Sequence, residues 1–232
     1  MLELHKPKLY GRRLGRKIRV RKSGLIQTML PRLAATVPEP GASLDPVTLF
    51  DGVRDVWLEV GFGGGEHLAE QSARLPDVGF IGCEPFLNGV ASLLDILDSR
   101  GLGANVRILA DDARPLLDAL ADASIGRCFV LFPDPWPKKR HHERRFIGPA
   151  NLDRLARVMR DGAELRLASD VPDLAAWMAE HVQAHPAFEG HLGDEGSWRT
   201  PPPDWVQTRY EQKGIANGRA PFYFVCRRRP RT

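Results

Sequence analysis

From residue 55 onward, short unbroken apolar runs alternate with segments in which apolar residues recur every three or four positions. The runs at 55–60, 78–83, 106–110, 128–132, 164–168 and 222–226 read as buried strands, because neither face shows a polar alternation. The segments between them read as helices. Residues 66–74 form the first. Residues 90–99 carry Val90, Leu93, Leu94 and Leu97 on one face, with Gly101 as a stop. A short helix starts at Arg114, another spans 151–160 with Leu152, Leu155, Val158 and Met159 on one side, and a last one spans 172–183. Strand and helix in strict alternation predict an α/β fold with a parallel sheet and helices on both faces.

Residues 1–50 break this rhythm. They lack a sustained period and contain Pro7, Pro31, Pro38, Pro40 and Pro46. We read them as a partly irregular extension that wraps or docks, with one short helix near 24–33, and residues 51–232 as the main α/β domain. The 232 residues are enough for one α/β domain with a full core. No apolar run approaches the roughly 20 residues of a membrane span, and the basic start of the chain lacks the apolar centre of a signal peptide. No membrane association and a cytoplasmic location are therefore expected. Cys83, Cys128 and Cys226 are widely spaced with no CxxC pair, so reduced thiols are expected and neither a disulfide framework nor a metal site.

The net charge of +4 says less than its distribution. Lys6, Lys8, Arg12, Arg13, Arg16, Lys17, Arg19, Arg21 and Lys22 form one cluster without an acid. Lys138, Lys139, Arg140, Arg144 and Arg145, with His141 and His142 among them, form a second. Arg227, Arg228, Arg229 and Arg231 form a third, which taken alone reads as a solvated tail. Three clusters suit a polyanion that touches a broad surface.

Ligands of parallel sheets bind beyond the carboxyl ends of the strands, and that is where the acids lie. The first strand runs into Glu59-Val-Gly61-Phe-Gly63-Gly64-Gly65. Gly61 and Gly63 permit a tight turn and close approach of a ligand to the backbone. No lysine or serine follows to make a phosphate loop. A carboxylate at Glu59 would repel a pyrophosphate but attract a ligand with an ammonium and a sulfonium; S-adenosylmethionine has both. Glu84 ends the second strand, where an acid typically grips ribose hydroxyls. Asp111 and Asp112 end the third, and Asp134 follows the fourth. Helix capping would explain any one of these acids, and it explains the whole set less well.

The segments LEVGFGGGEHL, GCEPF, ADDA, FPDPWPKKRHHERR, ASD and TRYEQKG together closely resemble the bacterial tRNA (guanine-N7-)-methyltransferase family. The likeness runs from about Tyr10 to about Phe224, and FPDPW with its basic sequel is the most specific piece. It implies a Rossmann-like class I methyltransferase fold, with a mostly parallel central sheet and a C-terminal antiparallel strand. It also implies methyl transfer from S-adenosylmethionine to N7 of a tRNA guanosine, leaving S-adenosylhomocysteine. Residue by residue, it implies cofactor contacts at Glu59, Glu84, Asp112 and Asp134, with Asp134 at the catalytic centre. Asp112 is preferred to Asp111 because it directly precedes Ala113. Lys138, Asp170, Thr208, Arg209, Tyr210 and Glu211 are implied as substrate contacts, and Arg140, His141, His142, Arg144 and Arg145 as an RNA-contacting stretch. Glu143 departs from an all-basic reading of that stretch.

The chemistry asks little of acid or base. Guanine N7 presents a free lone pair on the major-groove edge, so no proton need be removed before attack. Positioning and a carboxylate that favours a cationic product suffice. Asp134 is the candidate, through the guanine edge or the ammonium end of the cofactor. Pro133, Pro135 and Pro137 stiffen its loop, and Trp136 either stacks on a base or packs beneath the loop. The histidines among the arginines suit phosphate contact better than catalysis. A nicotinamide-dependent oxidoreductase, a non-catalytic RNA-binding module and a methyltransferase with another acceptor are the competing readings. Monomer and homodimer both stay open.

Overall fold

The computed structural model describes residues 10–190 and 197–231, so Lys6, Pro7 and Lys8 lie outside the described residues. Seven strands form one sheet: β1 (Asp55–Val60), β2 (Val78–Cys83), β3 (Val106–Leu109), β4 (Ile125–Leu131), β5 (Met159–Ser169), β6 (Phe188–Glu189) and β7 (Phe222–Arg228). Their spatial order is β3-β2-β1-β4-β5-β7-β6. The first five run parallel, and β7 is antiparallel to both β5 and β6.

The helices are α1 (Val20–Thr28), α2 (Leu30–Leu33), α3 (Glu66–Arg74), α4 (Leu87–Arg100), α5 (Ala113–Ala119), α6 (Pro149–Val158), α7 (Pro172–Ala184) and α8 (Arg209–Ala216). The apolar stripes fall as the periodicity requires. Val90, Leu93, Leu94 and Leu97 of α4 are fully buried with Leu68 on one face of the sheet. Leu116, Leu152, Leu155, Leu174 and Met178 fill the other face. Gly101 ends α4 in the left-handed conformation at φ 63°, a backbone region where a Cβ is strained.

Three elements depart from the sequence reading. β5 begins five residues earlier than expected, because its first turn of chain, Arg160, Asp161 and Gly162, is polar and lies at the exposed end of the sheet. Met159 and Arg160 therefore belong to this strand and not to α6. β6 has only two residues, too few for any period to show. α8 buries only Glu211 and Gly214, so it carries no apolar stripe.

The N-terminal segment is more ordered than its composition suggested. Leu87 N donates to Arg13 O at 2.9 Å, and Asn88 pairs with the backbone of Gly15 and Arg16 at 2.8 and 2.7 Å. Arg21 and Lys22 pair with Asp95 and Asp98 of α4. Farther along, Leu33 and Ala35 join the core, and Ala35 N donates to Ile108 O at 2.9 Å, covering the free edge of β3. Residues 10–22 thus lie on the surface, whereas residues 33–35 are part of the body.

Removing residues 1–16 deletes, among the described residues, only surface contacts such as Arg13 with Asp111 and the Tyr10 ring with Arg144, and is expected to preserve the circular dichroism spectrum and cooperative unfolding. Extending the deletion through residue 35 also removes a buried leucine and an edge pairing. The loss of about 2–5 kcal/mol should lower the unfolding midpoint by roughly 5–20 °C. Scanning calorimetry of the two truncations checks this; equal midpoints would show that residues 17–35 do not support the sheet.

Candidate active site

The parallel registers bring β1, β2 and β4 to a common end: Glu59 lies opposite Gly82 on one side and Phe129 on the other. Beyond that end is an open cleft of about 740 Å³ whose walls include Gly61, Gly63, Glu84, Asp112 and Asp134. The glycine turn makes its floor. Gly61 and Gly63 have φ of 74° and 54°, and a Cβ on either would meet no atom within 4 Å, projecting instead into open space.

Glu84 stitches this turn to β2. Its Oε2 accepts from Gly63 N and its Oε1 from Phe86 N, both at 2.8 Å. Burial pushes its carboxyl above the ordinary value, and the charges of Asp134 and Glu59 push the same way, against the two N–H donors. Glu84 thus feels the charges of both Asp134, which lines the cleft with it, and Glu59, which does not, and a cation bound beside Glu84 would relieve the repulsion.

Glu59 is buried, with Oε2 2.7 Å from Nδ1 of His67 in the first turn of α3. Asp112 caps α5, accepting from Arg114 N at 3.0 Å and pairing with the Arg114 guanidinium. Asp111 is more exposed and pairs with Arg13 at 2.5 Å. Both aspartates line the cleft.

Asp134 is exposed on the loop after β4. Phe132 and Trp136 on either side of it have φ of 50° and 42°, in the left-handed region that non-glycine residues seldom enter. Each precedes a proline, which disfavours the right-handed helical alternative. The loop is fastened from below by Arg145, whose Nε donates to Pro135 O at 3.0 Å and whose Nη2 pairs with Asp173. Arg145 is buried, so its guanidinium supports the loop and is not presented to solvent. Trp136 is half-buried. The Arg144 guanidinium lies 4.2 Å from the ring of Tyr10 and 5.2 Å from that of Trp136.

The remainder of the basic stretch divides. Lys138 and Arg140 are exposed, while His141 and His142 lie in the short 3-10 turn Lys139–Arg144. Partial desolvation and the charges of Arg144, Arg140 and Lys138 hold the His141 imidazole below its usual value. The His142 ring packs edge-on against Trp177 at 5.3 Å.

The second expected cluster folds around Asp170. This buried carboxylate accepts from Tyr210 Oη at 3.2 Å and from Arg219 Nε at 2.6 Å. Thr208 caps α8 through Glu211 N. Glu211 is buried and accepts from Trp205 Nε1 at 2.9 Å and from Tyr223 Oη. Arg209 is exposed, and Tyr210 is half-exposed with its ring 5.4 Å from Phe132. Of these residues Tyr210 comes to the Asp134 loop, whereas Thr208 and Glu211 hold α8 in place. His67 and Tyr10 were missed from sequence. The one available signal was His67 facing back across the glycine turn from the helix that follows it. Among the described residues no group of three or more His, Cys, Asp or Glu side chains could hold a metal ion, and no helix is long and apolar enough to cross a membrane.

A family model described as "Putative methyltransferase" matches residues 53–224. The tRNA (guanine-N(7)-)-methyltransferase of Paramagnetospirillum magneticum is 56% identical over 227 residues, spanning 97% of this chain and 94% of that protein. The protein of the same name from Rhodospirillum rubrum is 49% identical, spanning 97% and 89%. Among solved structures, the 16S rRNA methyltransferase KamB superposes with a TM-score of 0.56 at 18% identity, covering 79% of this chain and 92% of that one. A SAM-dependent O-methyltransferase from Thermotoga maritima gives a TM-score of 0.51 at 13% identity, covering 93% and 68%. These two likenesses establish the fold.

The raised Glu84 carboxyl has a consequence for stability. A carboxyl whose folded pKa lies above its unfolded one stabilises the fold fully below the unfolded value and loses that contribution as pH rises through the folded value. The unfolding midpoint of the unliganded wild type should therefore gain on that of Glu84→Gln as pH is lowered from about 7 to about 5, just above the usual carboxylate range. A difference between the two proteins that stays flat, or shrinks, over that interval in thermal scans refutes it.

Proposed function

The chain belongs to the tRNA (guanine-N7-)-methyltransferase family, and on that premise we propose that it transfers a methyl group from S-adenosylmethionine to N7 of a tRNA guanosine, releasing S-adenosylhomocysteine. The observation that carries this reading is the convergence of Glu84 and Asp134 on a single cleft floored by the Gly61–Gly63 turn. The residues fit the cofactor. The open space above Gly61 and Gly63 admits a ligand against the backbone, and the mutually repelling acids favour one that carries positive charge. S-adenosylmethionine supplies a methyl group activated on a sulfonium. Glu84 would meet the ribose hydroxyls, Asp112 or its neighbour Asp111 the adenine amino group, and Glu59 the cationic amino-acid end.

Asp134 is the proposed catalytic residue. Its loop is preset by the two left-handed residues and by Arg145 beneath it, so the carboxylate meets the guanine edge or the ammonium without prior rearrangement. In either position it favours the charge that the guanine gains on methylation. Tyr210, held by Asp170 and lying against Phe132, stands at the acceptor side of this loop. Lys138, Arg140, His141 and Arg209 are the exposed or partly exposed groups proposed to meet tRNA, with Arg144 and the basic extension before residue 50. Residues 51–232 form the proposed methyltransferase domain. A tRNA substrate places the work in the cytoplasm.

Incubation with labelled S-adenosylmethionine and unmodified tRNA, followed by nucleoside mass spectrometry, should give 7-methylguanosine; any other methylated nucleoside would refute the assignment. In single-turnover kinetics Asp134→Asn is expected to lower the rate by about 10²-fold or more, the scale on which removal of an electrostatic stabiliser acts. Attack by N7 releases no proton, so the wild-type rate should stay flat from roughly pH 7 to 9, above ordinary histidine titration. A histidine-like titration abolished by His141→Ala would mean that a general base operates.

The RNA contacts make a separate prediction. Lys138→Ala and Arg140→Ala should each reduce the slope of log affinity against log salt by roughly 0.7–0.9. Arg145→Ala should chiefly lower the unfolding midpoint, because its guanidinium is committed inside the protein. An Arg145 variant with full stability and a reduced salt slope would reverse that assignment.

A further inference from the structure

A buried carboxylate needs a partner to remain charged. Glu59 is 4% exposed, and among the described residues no lysine or arginine pairs with it. Its partner is His67, itself 2% exposed, whose ring stands edge-on against Phe129 at 4.7 Å.

The neighbours of His67 fix which ring nitrogen carries hydrogen. Gln71 Nε2 donates to the carbonyl oxygen of Asp204 at 3.4 Å, which turns the amide nitrogen toward that carbonyl. The same nitrogen lies 3.4 Å from His67 Nε2. Since the amide nitrogen is only a donor, His67 Nε2 must accept. The hydrogen of a neutral imidazole then resides on Nδ1, 2.7 Å from Glu59 Oε2, and donates to it. An imidazolium would set two donors against each other at Nε2. Turning the amide over would set two acceptors against each other at Asp204. One arrangement satisfies every contact: Gln71 donates to Asp204 C=O and to His67 Nε2, and His67 Nδ1 donates to Glu59.

We propose that His67 is a positioning residue for cofactor binding, holding the Glu59 carboxylate turned so that its other oxygen meets the cationic amino-acid end of S-adenosylmethionine. The inference rests on the reading of Glu59 as a cofactor contact. The relay also has a far end. Trp205, next to Asp204, donates to Glu211 of α8, so Glu59 is linked through His67, Gln71 and the Asp204–Trp205 backbone to the helix that carries Tyr210.

Calorimetric binding of S-adenosylhomocysteine tests this with four proteins: wild type, Glu59→Gln, His67→Leu, which keeps volume and removes the donor, and His67→Asn, which keeps a donor near the Nδ1 position. His67→Leu should weaken binding about tenfold, as expected for one lost hydrogen bond to a charged group, and His67→Asn should recover most of it. In the Glu59→Gln background His67→Leu should have little additional effect. In turnover the loss should appear in KM for S-adenosylmethionine far more than in kcat. If Glu59→Gln weakens binding and His67→Leu does not, or if His67→Asn is no better than His67→Leu, the positioning role is overturned while the Glu59 contact stands. If Glu59→Gln itself binds like wild type, the Glu59 contact fails and the proposal with it. Nitrogen-15 NMR of the wild-type imidazole gives a reading independent of any variant: the Nδ1–H tautomer is expected, and Nε2–H or imidazolium overturns the relay.

Discussion

Because β1 lies between β2 and β4 and runs parallel to both, three carboxyl ends are forced to one edge of the sheet, with neighbouring strands about 4.8 Å apart. Parallel neighbours can be joined only by crossovers, and a right-handed crossover puts its helix on a face determined by the direction of travel along the sheet. The chain moves outward from β1 to β3 and then returns past β1 to β4, so the crossovers change face there and leave a crevice. Glu84 and Asp134, beyond the ends of β2 and β4, line that crevice, whereas Glu59 is buried near the end of β1. Burial is the main reason that the Glu84 carboxyl is raised, and the charges of Asp134 and Glu59 add to it. A cation bound in the crevice would relieve that added repulsion.

How much of this was legible in the sequence depended on how far each property is local. Interior parallel strands are buried on both faces, so β1, β2 and β4 appear as unbroken apolar runs, and the glycine turn and the acids follow at fixed offsets from them. What a side chain does after folding was not legible where its partner is distant. Arg145 looks like its exposed neighbours in a charge count, yet its pairing with Asp173 across 28 positions draws it inside. Glu211 lies in a motif that the family resemblance gives to the substrate, yet Trp205 and Tyr223 take up both its oxygens. Glu59 stands out in the sequence as an acid near a strand end, but its pairing with His67 could be found only in three dimensions. Charge and spacing locate candidate chemistry; burial decides which groups are free to perform it.

The loop from Phe132 to Trp136 shows how rigidity is distributed around the cleft. It is left-handed at both ends and is held by a buried arginine beneath, not by secondary structure. Such a conformation persists only where the surroundings over-determine it. Tyr10 of the N-terminal segment contributes from the outside, its ring facing the Arg144 guanidinium that also lies over Trp136. The N-terminal segment and the loop after β4, which both line the cleft, thus share one cation between two aromatic rings.

The position of β7 bears on how the protein is made. This strand occupies residues 222–228 of 232, yet in space it lies between β5 and β6, which precede it by many residues. The sheet therefore has an unfilled slot until residues 222–228 have been translated. A ribosome-bound chain can assemble β1 to β5, but with the exposed edge of β5 unpaired, the kind of edge that invites association with other chains. Closure waits for β7, which enters between two others instead of adding at a margin. A nonsense codon ahead of residue 222 would leave the slot open even though all five parallel strands had been made.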